Sequence, residues 1–141
     1  DSGFLIEFDF DYKSSLYYFA SDYNNWFFTF KYPDDDEMLE KNFNDAKECI
    51  DGFEAALYSS DFIDTRLYTD LIDEESFAKW YYHKNLLQMD ECNRYYLKYD
   101  DTKDSKLQMG PLWDYEWCLG NAGNRPSSSH YLENKLYFAP L

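Results

Sequence analysis

Leu39, Phe43, Ala46, Ile50, Phe53 and Leu57 recur at spacings of 4, 3, 4, 3 and 4. That period places all six on one stripe of an α-helix, and such a helix is stable only if the stripe is buried against another element. The stripe is under three heptads long, so ordinary core packing is the preferred reading over a coiled-coil seam. Gly52 lowers helix stability without interrupting the pattern. The acidic run Asp34-Asp35-Asp36-Glu37 precedes the stripe. Its carboxylates are expected to cap the free N–H groups of the first turn and to complement the helix dipole.

The flanking segments supply partners for that stripe. In FLIEFDF, Phe4, Ile6, Phe8 and Phe10 fall on one face and Leu5, Glu7 and Asp9 on the other, the pattern of a half-buried strand. Leu16–Ala20 and Trp26–Tyr32 are two further β-prone runs joined by the turn-rich Ser21-Asp22-Tyr23-Asn24-Asn25. Together the three read as a short antiparallel meander ended by Pro33. Ser59 to Thr69 reads as a loop or short-helix connection. A second helix is predicted from an Asp73 N-cap through Phe77, Trp80, Tyr81 and Leu87 to about Met89. The period then changes to alternation in Arg94–Tyr99 and Lys106–Trp113, joined by the polar turn 100–105, which is a hairpin. From Gly120 onward the chain reads as loop with a short apolar segment at its end. The fold class expected is mixed α+β.

Composition narrows the function classes. A chain of 141 residues is long enough for one core and one domain. An aromatic share of 22% argues against disorder, which requires a shortage of apolar bulk. The 28 Asp and Glu against 13 Lys and Arg give a net charge of -15. Residues 1–70 carry 17 acids and 5 bases, and 71–141 carry 11 and 8, so the halves hold -12 and -3. This balance argues against nucleic-acid and anionic-membrane partners, which call for basic stripes. No apolar run approaches the roughly 20 residues of a membrane span. Cys49, Cys92 and Cys118 lack the spacing of a metal site or a disulfide framework. The chain enters a strand almost at once after Asp1-Ser2-Gly3, without an initiating Met or a signal-like region, and stops at Pro140-Leu141. Residues 1–141 therefore read as a single fragment of a larger protein.

The hairpin carries the sharpest expectation. With its turn centred between Thr102 and Lys103, paired residues have numbers summing to about 205, and Asp90 and Asp114 sum to 204. The fold-back thus delivers two carboxylates together at the open end of the ribbon. Loop-edge acids are as a rule solvated or act as caps, and that reading stands beside a functional one. His83 falls within a predicted helix, and His130 follows Ser127–Ser129 without a nucleophile elbow, so neither suggests a catalytic triad. Trp113 and Trp117 read as core aromatics, and Cys92 as a small apolar group. A helix, an Asp-bearing loop, a hairpin and a strand-terminal Asp resemble the layout of a protein-kinase C-lobe, in which one Asp orients the acceptor hydroxyl and the other holds Mg²⁺.

A family resemblance sharpens this. Ser76–Asn121, and above all KLQMGPLWDYEWCLGN (Lys106–Asn121), is similar to the CotH family, named for spore-coat protein H, with its Gly-Pro-hydrophobic-Trp-Asp-aromatic-acidic signature. GFLIEFDF, TFKYPDDDE, DGFEAAL and the terminal ENKLYFAPL also resemble the bacterial branch, so the likeness covers most of the chain. It implies part of a kinase-like C-lobe, secreted or at the cell surface. It further implies transfer of the γ-phosphoryl of ATP, with Mg²⁺, to Ser or Thr hydroxyls of a protein substrate. Asp90 matches the catalytic Asp, Asp114 the principal metal ligand, Glu116 a secondary one and Asn93 a further candidate. The sequence departs from the kinase pattern in two places. The position five after Asp90 is Tyr95 rather than Asn, and the five glycines form no phosphate cradle. Lys31 lies on the wrong side of the inferred interlobe hinge to be the nucleotide-phosphate lysine. The resemblance therefore implies that the isolated fragment, without the N-lobe and the extreme C-terminal part, is inactive. The alternative expectation is a non-catalytic surface or coat-assembly module that keeps the kinase-like fold.

Overall fold

The computed structural model describes residues 3–86, 94–100, 102 and 104–112. Its strands are β1 (Phe4–Phe8), β2 (Tyr18–Ala20), β3 (Phe27–Tyr32), β4 (Arg94–Lys98) and β5 (Gln108–Met109). Its helices are α1 (Glu40–Leu57), α2 (Phe62–Thr65), α3 (Tyr68–Leu71) and α4 (Glu74–Leu86), with a single 3₁₀ turn at Tyr12–Ser14. The fold is mixed α+β, with an antiparallel five-stranded sheet in the order β2-β3-β1-β4-β5.

That order corrects the meander. The three N-terminal strands are antiparallel, but β1 lies between β3 and β4 and never pairs with β2. The reason is burial. Phe4, Ile6 and Glu7 are all buried, and a strand covered in this way belongs at the centre of a sheet. The long connection from Asp9 to Tyr17 leaves β2 free to pair with β3 instead, at a loop-closure cost that rises only slowly with length. β1 also ends sooner than the alternation predicts, so Phe10 is 89% exposed. Leu16 lies outside β2 and is exposed as well.

β3 and β4 both run antiparallel to β1, so the connection between them crosses one face of the sheet, and α1 lies in that connection. Ala46, Ile50, Phe53 and Leu57 of the predicted stripe are buried there. They share a core with Phe4, Ile6, Phe19, Phe28, Phe30 and Tyr96 from the sheet. Rings carry much of this contact. Phe53 meets Phe77 of α4 at 5.5 Å in a T-shaped pair, and Tyr96 lies 5.9 Å from Phe28. Such edge-to-face pairs add to the gain from area burial.

The start of α1 differs from expectation. Leu39 occupies the N-cap position and is exposed, and the Asn42 Oδ1 accepts its backbone N–H at 3.3 Å. The acidic run instead forms a preceding turn closed by Glu37 N–H to Asp34 C=O. An amide acceptor inside the first turn reaches the cap directly, so no upstream carboxylate is needed there. The Ser59–Thr69 connection contains the four-residue helical turn α2 and the start of α3, with Arg66 and Leu67 between them; Arg66, at a φ of 48°, ends α2 in the left-handed region.

A second, polar stripe of α1 fastens the β2–β3 turn. Lys47, Asp51, Glu54 and Tyr58 follow one another at spacings of 4, 3 and 4. Asp51 accepts the Asp22 N–H at 2.8 Å and Glu54 accepts the Asn24 N–H at 3.3 Å. Tyr58 stacks on Tyr23 with centroids 4.5 Å apart, and Lys47 reaches both Asp22 and Asp51. Partial burial pulls the Lys47 pKa down, but the hydrogen bonds and charges of Asp22 and Asp51 outweigh it and leave the group above the ordinary lysine value. A raised folded-state pKa means stability that is complete below the unfolded value of 10.5 and lost as pH rises through the folded one. The thermal midpoint should therefore fall on alkaline titration above about pH 10.5, and Lys47→Met should reduce that step. In the core, Phe53→Ala should cost about 3–5 kcal/mol, read by chemical denaturation.

Candidate active site

The hairpin that was expected to carry the site forms in the predicted register. Tyr96 pairs with Met109 and Leu97 with Gln108, and both pairs sum to 205. The Gly110 N–H continues the ladder to the Tyr95 C=O at 2.6 Å. At the tip, Asp100 Oδ1 accepts both the Thr102 N–H and its hydroxyl, and the Ser105 N–H returns to the Thr102 C=O. These local bonds centre the turn where the sequence places it.

The outer edge of the hairpin is stitched to the start of α4. Leu107 donates its N–H to the Leu71 C=O at 2.9 Å and accepts the Asp73 N–H at 2.8 Å, forming a short parallel bridge with Ile72. Asp73 caps α4 as predicted, its Oδ1 accepting the Ser76 N–H at 3.0 Å. Ser76 Oγ then accepts the Met109 N–H at 3.1 Å. One cap therefore serves both elements, fixing α4 relative to β5. α4 is described to Leu86, four residues before Asp90, and Gly110 lies four residues before Asp114. Asp90, Asn93, Asp114 and Glu116 themselves lie outside the described residues, as do Cys92, Trp113, Trp117 and His130.

Gly110 opens the Gly-Pro signature, and the structure gives it a steric role. A Cβ at this position would meet the Tyr95 Cβ at 2.6 Å and the Tyr95 carbonyl carbon at 3.1 Å. Only glycine lets β5 approach β4 this closely just before the chain continues toward Asp114.

Two other sequence candidates resolve plainly. His83 lies on an exposed face of α4 with Nδ1 2.7 Å from the Lys79 carbonyl oxygen, the helix-face role expected of it. Burial pushes the Cys49 thiol up to about 11, with Asp45 adding to the shift and Lys98 opposing it, so it stays protonated and unreactive near neutral pH. A cavity of about 360 Å³ beside the hairpin tip includes Asp73, Asp100, Asp104 and Lys106. Asp73 and Asp100 are already engaged as cap and turn acceptor, and the cavity lies at the end of the hairpin away from Gly110. Among the described residues no group of three or more His, Cys, Asp and Glu is placed to hold a metal, and no helix is long and apolar enough to cross a membrane.

One polar pair was missed by the sequence reading. Glu7, assigned by alternation to the outer face, is buried, and its Oε2 lies 2.7 Å from Lys31 Nζ. The available signal was a single acid within an apolar strand and a lysine on another strand of the same sheet.

No family model, curated protein or solved structure matches this chain.

Gly110→Ala should destabilise the protein measurably, because backbone rather than a flexible side-chain tip must move. The denaturation midpoint should fall, with hydrogen exchange rising first at the β4 and β5 amides. An unchanged midpoint would show that the close approach at Tyr95 carries no constraint.

Proposed function

We propose that the chain is part of a CotH-like phosphotransferase that moves the γ-phosphoryl group of ATP to a Ser or Thr hydroxyl of a protein. The observation that carries this reading is the hairpin register. The observed pairs sum to 205, within one of the 204 of Asp90 and Asp114, and that near-coincidence is the ground on which those two were inferred to be neighbours. The shared anchoring of α4 and β5 through Asp73 and Ser76 supports it, because phosphoryl transfer depends chiefly on positioning.

In this reading Asp90 orients the acceptor hydroxyl and takes its proton as that oxygen bonds to the γ-phosphorus, while the bond from the γ-phosphorus to the β–γ bridging oxygen breaks and ADP leaves. Asp114 would be the principal residue to hold Mg²⁺, with Glu116 and Asn93 as further oxygen donors. The donor set consists of carboxylate and amide oxygens, which suits a hard cation. When bound, Mg²⁺ neutralises charge on the transferred group. Secretion or display at the cell surface belongs to the same proposal.

The full-length protein should gain thermal stability with Mg·ATP, since a ligand that binds only the native state raises the midpoint. Asp114→Ala should abolish both that gain and Mg²⁺-dependent phosphate transfer while leaving the circular dichroism spectrum intact. Full transfer activity in Asp114→Ala would remove the assigned role. A complete lack of nucleotide response in the wild type would favour the non-catalytic assembly module.

A further inference from the structure

β2 stands at the end of the sheet order and pairs only with β3. Its ladder shows which backbone groups are already used. The Tyr17 C=O accepts the Phe30 N–H at 3.3 Å, and the Ser21 N–H reaches the Trp26 C=O at 2.8 Å. In an antiparallel pair, hydrogen-bonded residues alternate with residues whose N–H and C=O point the other way. Tyr17, Phe19 and Ser21 therefore bond to β3. Tyr18 and Ala20, opposite Thr29 and Phe27, turn their N–H and C=O groups to the open side. Among the described residues no hydrogen bond reaches those groups.

An open edge is a template for a further strand, and folded proteins commonly guard it with Lys, Pro or a bulge. Leu16–Ser21 contains no charged residue and no proline, and its pairing with β3 has no break. The edge is also apolar. Leu16 is 70% exposed and Tyr18 41%. Tyr18 lies against Tyr12, which stacks on Phe27 with centroids 3.6 Å apart, and on the opposite face Phe19 meets Phe43 of α1 at 5.8 Å. A strand laid beside β2 would set its side chains against the Tyr12–Tyr18 rings on one face and extend the Phe19–Phe43 layer on the other.

Charge decides what that strand is. β3 leaves the sheet beside the start of β2, and the chain passes at once into Asp34-Asp35-Asp36-Glu37, all of them exposed. No ion pair among the described residues engages these four. The nearby bases are committed elsewhere, Lys31 to Glu7 and Lys47 to Asp22 and Asp51, while Lys13 lies over the Tyr12 ring. A second copy is a poor occupant, because residues 1–70 carry 17 acids against 5 bases and edge-to-edge pairing would bring two halves of net -12 together. A basic segment is drawn in by the same field that repels a copy.

We propose that the open edge of β2 takes up an extended, Lys- or Arg-bearing segment of another protein as an added strand, bonded through the N–H and C=O groups of Tyr18 and Ala20. Main-chain bonds supply affinity in this mode, and the side chains on either face supply selectivity. The proposal is independent of the phosphotransferase reading, since no residue of that candidate site takes part.

The test is fluorescence anisotropy of the full-length protein with three labelled probes. These are an octapeptide of alternating Lys and Val, its Glu-for-Lys counterpart, and the Lys peptide N-methylated at every residue so that neither edge can donate. The Lys peptide should bind, more weakly as salt is raised, and should slow hydrogen exchange at the Tyr18 and Ala20 amides. The Glu and N-methylated peptides should each bind roughly tenfold more weakly or worse, the effect of losing the charge attraction or the main-chain bonds. Ala20→Pro removes an outward N–H that no bond to β3 uses, and should weaken the Lys peptide similarly. If that variant does not fold, the N-methylated peptide reads the same contact on the wild type. Undiminished binding of the N-methylated peptide overturns strand addition, and equal binding of the Glu peptide overturns the basic partner. A dimer in sedimentation velocity that the Lys peptide dissociates would assign the edge to a second copy and overturn the proposal. Failure of the Lys peptide to bind overturns it outright.

Discussion

The contact between the inner face of the sheet and the apolar stripe of α1 is the constraint on which the rest of the structure depends. β1 is central because Phe4 and Ile6 are buried beneath that helix, and β3 and β4 can only take its two flanks. The rings at the middle of the core, Phe28, Phe53, Phe77 and Tyr96, come from a strand, a helix, a second helix and a second strand. Close packing of such rings leaves little tolerance for sliding. Segments distant in sequence are thereby held in one arrangement.

That core fixes the hairpin from beneath, while polar contacts fix it from the side. Tyr96 anchors β4 in the core, and Leu107 is buried at the entrance to β5. The Asp73 carboxylate and the Ser76 hydroxyl serve two elements, capping α4 and receiving the edge of β5 through a chain of hydrogen bonds. Gly110 adds a steric condition, because any side chain there collides with Tyr95. The hairpin is thus set by packing, hydrogen bonding and sterics at separate points.

Much of this was legible in the sequence. The 39–57 stripe predicted α1, with Leu39 alone falling outside the core. Asp73 was identified as a cap, and the turn at Thr102–Lys103 fixed the pairing of Tyr96 with Met109. For the candidate site the sequence offers the spacing between Asp90 and Asp114 and a resemblance in the segment around them, and those residues lie outside the described ones. Less legible was anything that joined remote strands. Alternation put Glu7 on an outer face without saying that Lys31 would be re-aimed over it by a bulge. The acidic run before α1 looked like a cap, but Asn42 occupies that role because it is already inside the helix.

The sequence by itself determined the features that depend on a residue's near neighbours in the chain: the helical period, the strand alternation, the cap and the hairpin register. Only the tertiary structure decided that β1 would be central, that α1 would clamp the β2–β3 turn through Lys47, Asp51 and Glu54, and that Glu7 would be buried beside Lys31. The physical reason is one of range. Period and capping follow from backbone geometry over a few residues. Strand order instead follows from which distant apolar faces can be buried together, and slowly rising loop-closure costs leave that choice open until the core forms.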